Sequence, residues 1–219
     1  MDINELSPSE VFSYFQEICA IPHGSGNTGM IADYCLEFAK LHGLKARKDA
    51  ADNVVIFKTG FSGYEDCEPV ILQGHLDMVC EKEPDCDIDM SVQSIKACTD
   101  GKMVWADGTT LGADDGIAVA FILAVLASDT IAHPPIQAVL TSDEEIGMLG
   151  ARDLDTSEIT AKRLINIDSE NEGILYVSCA GGVRAECDIP VEYEDAAGWV
   201  ADGAIDVQNG SCLLYTSDA

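Results

Sequence analysis

Residues 116–128, GIAVAFILAVLAS, carry no charged side chain and are apolar nearly all round. A helix of that composition has no polar face to turn toward water, so it must be packed against another layer. Its neighbours in the chain supply that layer. Residues 53–57 (NVVIF), 70–73 (VILQ), 136–140 (IQAVL) and 164–167 (LINI) are short β-branched or apolar runs bounded by turn residues, as strands buried on both faces should be. Strand, helix and strand joined by short links predict an α/β fold, a three-layer sandwich with a largely parallel sheet.

Two amphipathic helices precede this unit. Ser7-Pro8-Ser9-Glu10 has the capping-box spacing with proline at the first helical position, and Val11, Phe12, Phe15, Ile18 and Cys19 follow at helical intervals. A second helix is predicted over residues 28–42, with Ile31, Tyr34, Cys35, Phe38 and Leu41 on one face and Gly43 as the stop. The loop between them, His23-Gly24-Ser25-Gly26-Asn27, lacks the preceding strand and the third glycine of a dinucleotide-binding turn and reads as a flexible connection. Met103 and Trp105 fit a strand over residues 102–106. From Val183 the chain turns to acidic, strand-like segments that read as the start of another domain. Its last residues, 212–219, follow neither period and read as a non-native tail. The expected division is therefore 1–182, 183–211 and 212–219.

Lys and Arg number 12 against 39 Asp and Glu, a balance of −27, which repels a phosphate backbone and excludes nucleic acid as a partner. Nine cysteines without CxxC pairs or regular spacing argue against a disulfide framework or a cysteine zinc site and fit reduced thiols in cytoplasm. The N-terminus has no basic and apolar leader, and the longest apolar stretch, 117–127, is too short for a bilayer. A cytoplasmic protein with no membrane partner is expected.

Most of the carboxylates belong to a solvated surface, but several stand at the ends of apolar runs, where ligands of α/β sheets bind. Gly74-His75-Leu76-Asp77 follows one strand, Gly112-Ala113-Asp114-Asp115-Gly116 opens the apolar helix, and Thr141-Ser142-Asp143-Glu144-Glu145 and Asp168-Ser169-Glu170 follow two more strands. One imidazole among many carboxylates suits zinc, manganese or cobalt better than calcium. So many acids at one edge call for two cations with a bridging carboxylate, for which Asp114 is placed. His75 and Asp77, two apart in extended chain, point the same way, so Asp77 can accept the second ring N–H of His75 and fix its tautomer. Glu144 and Glu145, being adjacent, cannot both face one ion from regular strand. One is expected to ligate while the other acts as general base.

GHLDMV, LGADDG, TSDEEIGMLGA and NIDSE, in this order, resemble the metal motifs of the metallopeptidase family that contains carboxypeptidase G, aminoacylase and tripeptidase T, and within it the branch that cleaves dipeptides ending in histidine. The resemblance covers roughly residues 5–190. It implies a dinuclear exopeptidase with two divalent ions, zinc foremost. His75 and Asp168 would ligate one ion, Asp114 would bridge, Glu145 would ligate the second, Asp77 would orient His75, and Glu144 would be the acid–base group. The family's last ligand is a histidine beyond an inserted α+β lid, which follows the strand corresponding to residues 174–178. That histidine is absent from this sequence, and relatives often pair as homodimers through the lid. The expected partner is a small peptide. Rival readings are a tripeptidase, an N-acyl amino acid amidohydrolase, or a metal-binding fragment without turnover. Outside the motifs, His23, His42 and His133 read as loop or helix-end residues, Asp115 as a carboxylate at a helix N-terminus, and Asp143 as a supporting or solvated group.

Overall fold

The structure is a computed structural model and describes residues 2–169 and 173–178. The expected domain boundaries at 182/183 and 211/212 lie outside the described residues. The chain divides into two compact units, Met1–Glu172 and Gly173–Ala219. Of the second, residues 173–178 are described; they form no strand, unlike the expectation for 174–178, and Leu175 and Val177 are exposed.

In the first unit, helices α1 (Ser9–Cys19) and α2 (Gly29–Leu41) precede strands β1 (Lys45–Lys48), β2 (Val54–Lys58) and β3 (Val70–His75). A hairpin of β4 (Ala97–Thr99) and β5 (Val104–Ala106) comes next, then α3 (Ala113–Ala127), β6 (Ile136–Thr141), α4 (Leu149–Asp153) and β7 (Arg163–Asn166). The main sheet has the order β1-β2-β6-β3-β7. It is mixed: β6, β3 and β7 run parallel, while β2 pairs antiparallel with both β1 and β6. The expected parallel arrangement therefore holds where the two crossovers, through α3 and through α4, give it room to form. β1 and β2 are joined by a short turn, which permits antiparallel pairing alone.

Alternation along the strands sorts the core. Val54, Ile56, Leu72, Ala138 and Leu140 face the cluster that contains Phe15, Ile18, Ile31, Phe38, Val119 and Leu123, so α1, α2 and α3 share one face of the sheet. Val55, Ile71 and Val139 point the other way, against Leu154, Ile159 and Ala161 from the segment after α4. The apolar helix is buried along one side, where Ala118, Val119, Ala120, Ile122, Leu123 and Leu126 have almost no exposed surface, while Phe121 on the other side is 40% exposed. Lys58, at the end of β2, donates to the carbonyls of Val125, Leu126 and Ser128, closing the C-terminus of α3 with a cation.

Three local expectations are corrected. Ser7 does not cap α1: the helix begins at Ser9, Pro8 stands outside it with extended ψ of 129°, and no side chain caps its first turn. Leu41, the last residue of α2, is exposed, although Phe38 and Ala39 in the same turn are buried. β7 is exposed along its length, since it forms the sheet edge and no described residues cover it. β1, β4 and α4 were not read from the sequence; β1 is Lys-Ala-Arg-Lys and carries no apolar period. The six cysteines among the described residues are free, and burial pushes the Cys19 and Cys35 thiols up to about 12. Among the described residues no helix is long and apolar enough to cross a membrane.

Candidate metal centre

Because β3, β6 and β7 are parallel, their C-terminal ends lie at one edge of the sheet, and His75 pairs in register with Thr141 there. β3 is flanked by both of the others, so the residues after Thr141 and those after Asn166 arrive on either side of His75. The regular part of α3 begins at Gly116, because the backbones of Asp114 (φ −85°, ψ 108°) and Asp115 (φ −111°, ψ 25°) depart from helical values. The carboxylate of Asp115 turns inward, 2% exposed, and accepts the His75 backbone N–H at 3.0 Å. Gly74 makes this docking possible: a Cβ there would come within 2.8 Å of Asp115 Oδ2. Gly112, with φ of +68°, supplies the left-handed turn ahead of the helix.

His75 is 1% exposed, and its ring is held on both sides. Nδ1 lies 2.9 Å from the backbone carbonyl oxygen of Asp77 and 3.4 Å from its carboxylate, so the main chain of Asp77 is the nearer partner. Nε2 faces Asp114 Oδ1 at 3.1 Å and Asp168 Oδ2 at 3.9 Å. One donor atom each from His75, Asp114 and Asp168 lie within 4.8 Å of one another. Two donors on one zinc ion are at most about 4.2 Å apart, given bonds of about 2.1 Å, so small side-chain rotations would bring the three onto a single cation. Asp114 opens the group to solvent, with a side chain 72% exposed.

Asp77, 1% exposed, is the hub beneath this group. Its Oδ1 accepts the Glu144 N–H at 2.9 Å; its Oδ2 accepts the Ser25 hydroxyl at 2.7 Å and the Glu145 N–H at 3.3 Å. The Glu144–Glu145 turn is thus fastened to the residue that supports His75. The Glu145 side chain is exposed and stands outside the three-residue group, whereas Glu144 is half-buried.

The electrostatics stem from crowding. Burial drives the Asp115 carboxyl up to about 7 against the hydrogen bond from His75 N–H. Burial and then neighbouring carboxylates, opposed by His75, raise Glu144 and Glu145. Burial would lower His75, but hydrogen bonding to Asp77 and the charges of Asp115, Asp77 and Asp168 outweigh it and raise the imidazole to about 9. Asp77 goes the other way, to about 2, because the donors from His75, Glu144 and Ser25 overcome the burial penalty. An edge where carboxylates are forced toward protonation and the histidine toward its cation is one that positive charge stabilises, and its N and O donors fit a borderline divalent ion.

Asp143, expected as a supporting or solvated group, does support the site, whereas Ser25, Gly26 and Asn53 had no expected role in it. Asp143, in the left-handed region at φ 52°, accepts the Gly26 N–H at 2.7 Å. The loop expected to be a flexible connection is therefore fastened to the site at Ser25 and Gly26. His23, expected as an ordinary loop residue, is 3% exposed. Asn53, 1% exposed, accepts from Ser142 N–H at 3.1 Å and donates to Gly150 O at 2.9 Å, clamping both ends of the segment that carries Glu144 and Glu145. These contacts join positions remote in sequence, and no local pattern announces them.

No protein-family model matches the chain. It is 41% identical over 193 residues to the cytosol non-specific dipeptidase of Escherichia coli (strain K12), an alignment that covers 88% of this chain and 40% of that protein. The fold superposes on the aminoacylhistidine dipeptidase of Vibrio alginolyticus with a TM-score of 0.77 and 44% identity, covering 79% of this chain and 35% of that one. A tripeptidase from Staphylococcus aureus superposes with a TM-score of 0.63 at 26% identity, over 76% of this chain and 44% of the other. The chain is therefore a homologue of the cytosol non-specific and aminoacylhistidine dipeptidases, of whose lengths it spans 40% and 35%.

Proposed function

We propose that this chain carries the metal-binding portion of a cytoplasmic exopeptidase that hydrolyses dipeptides, those ending in histidine among them. The observation that carries the reading is the convergence of His75, Asp114 and Asp168 at the parallel strand ends, directly above Asp77. The homology to two dipeptidases supports the reaction class, and the likeness to an aminoacylhistidine dipeptidase supports the histidine-ending substrate.

His75 and Asp168 would hold one divalent ion, Asp114 would bridge to a second, and Glu145 would complete the second with a rotation of its exposed side chain. Zinc is the foremost candidate and manganese or cobalt the alternatives. Bound there, the ions would lower the pKa of a shared water and polarise the scissile carbonyl. Glu144, half-buried and with its carboxyl raised by burial, would serve as the general base toward a water held there and as the acid toward the leaving amine. Asp77 fixes the ring of His75 through its carbonyl and carboxylate and holds the backbone of Glu144. A small peptide is the partner, and a homodimer is the proposed state of the longer protein.

Metal analysis by mass spectrometry on the purified chain is the direct test. Wild type should retain zinc or manganese and Asp114→Ala should lose most of it; equal metal content in the two would refute the centre. In a protein extended to the length of its relatives, Glu144→Gln should abolish cleavage of histidine-ending dipeptides while leaving metal content unchanged. Turnover that survives this change would refute the assignment of the base.

A further inference from the structure

The loop from His23 to Asn27 joins α1 to α2, yet its hydrogen bonds go elsewhere. Met78 N–H donates to His23 O and Ser25 N–H donates to Met78 O, both at 3.2 Å, so the loop is zipped to the segment just after Asp77. Asn27 N–H closes the turn on Gly24 O at 2.8 Å, and its side chain donates to Ser91 O at 3.0 Å. Gly24 is pressed so close that a Cβ would stand 2.5 Å from Cys80 Sγ. From this fixed platform the Ser25 hydroxyl reaches Asp77 Oδ2 and the Gly26 N–H reaches Asp143 Oδ1, each at 2.7 Å.

The Ser25 contact matters because of how a carboxylate is held. The last torsion of an aspartate is broad and roughly two-fold, so the group is oriented only when both oxygens have partners. Oδ1 of Asp77 has the Glu144 N–H at 2.9 Å; without Ser25, Oδ2 would keep only the Glu145 N–H at 3.3 Å. The hydroxyl is the shortest donor to this buried carboxylate, and an O–H···O⁻ bond is among the stronger kinds. We propose that Ser25 is a positioning residue of the metal centre: by fixing the Asp77 carboxylate it fixes the Glu144–Glu145 backbone and the negative charge that stands 3.4 Å from His75 Nδ1, with Gly26 and Asp143 as a second pin on the same turn. The inference rests on the reading of His75 as a metal ligand.

The test is zinc affinity of the 219-residue chain, measured by competition with a chromophoric chelator, for wild type, Ser25→Ala, Ser25→Thr and His75→Ala, with thermal unfolding of each. Residues that orient metal ligands typically contribute about 10- to 100-fold in affinity, so Ser25→Ala should weaken zinc binding by about tenfold and Ser25→Thr, which keeps the hydroxyl, should restore most of it. The visible absorption of the cobalt-loaded chain reports ligand geometry and not overall fold; it should shift in Ser25→Ala and return in Ser25→Thr. If Ser25→Ala loses its cooperative melt, Ser25→Cys, with a weaker donor in similar volume, carries the same comparison. Wild-type zinc affinity in Ser25→Ala or its cysteine substitute, alongside a loss in His75→Ala, overturns the role of Ser25 alone. Equal affinity in His75→Ala and wild type overturns the metal centre and the Ser25 role with it.

Discussion

Replacing Asn53 by alanine tests whether the loop bearing Glu144 and Glu145 is held by one buried amide. In the native chain Asn53 Oδ1 accepts from Ser142 N–H at 3.1 Å, and Nδ2 donates to Gly150 O at 2.9 Å and to the Asp49 carboxylate at 2.9 Å. Asn53, Ser142 and Gly150 are all buried, with Ser142 at 0% exposure, so water reaches the orphaned groups only if the structure opens. An unpaired buried polar group costs about 1–3 kcal/mol, and Asn53→Ala creates two in the main chain, which gives a loss of about 2–4 kcal/mol after partial relaxation. The assay is urea unfolding of the chain followed by circular dichroism, with stability taken from midpoint and slope. Hydrogen exchange at residues 142–150 should rise in parallel, because the loop loses its clamp before the rest of the sheet does. A destabilisation under about 0.5 kcal/mol, the range of ordinary surface substitutions, would refute the reasoning.

Lys58→Met should lower stability by about 1–2 kcal/mol, seen as a fall of several degrees in Tm, because three carbonyls at the C-terminus of α3 lose their cationic donor; an unchanged Tm would mean that water replaces it. Gly74→Ala places a Cβ 2.8 Å from Asp115 Oδ2 and 3.3 Å from Ala118 Cβ, so it should cost about 1–3 kcal/mol in the same unfolding assay. With metal chelated, His75 and Asp77 set opposite limits to stability. The His75 pKa rises from 6.5 to about 9 on folding, so its contribution is fully present below pH 6.5 and is lost as pH climbs through about 9. The Asp77 pKa falls from 3.8 to about 2, so its contribution is present above pH 3.8 and is lost as pH drops through about 2. His75→Asn should therefore flatten the stability profile between pH 6.5 and 9, and a profile identical to wild type would show that the pair contributes nothing.

Elements whose pattern is local are legible in the residues alone. The uncharged run at 116–128 could only be a buried helix, the β-branched runs at 54–57, 70–73 and 136–140 could only be interior strands, and the acids and histidine beyond them could only gather at strand ends. Composition and period encode such facts directly, because burial of apolar surface is decided residue by residue. The tertiary structure alone decided the pairing: that β2 runs against β6 while β3 and β7 run with it, that Lys-Ala-Arg-Lys is a strand at all, and that Asp77 rests on a serine 52 residues away. Hydrogen bonds between remote segments depend on where two chains arrive in space, and a serine, a glycine amide or a lone asparagine looks the same in sequence whether it faces water or a carboxylate. The ends of the strands could be foreseen to hold the acids, but the small polar residues that hold those acids still could not.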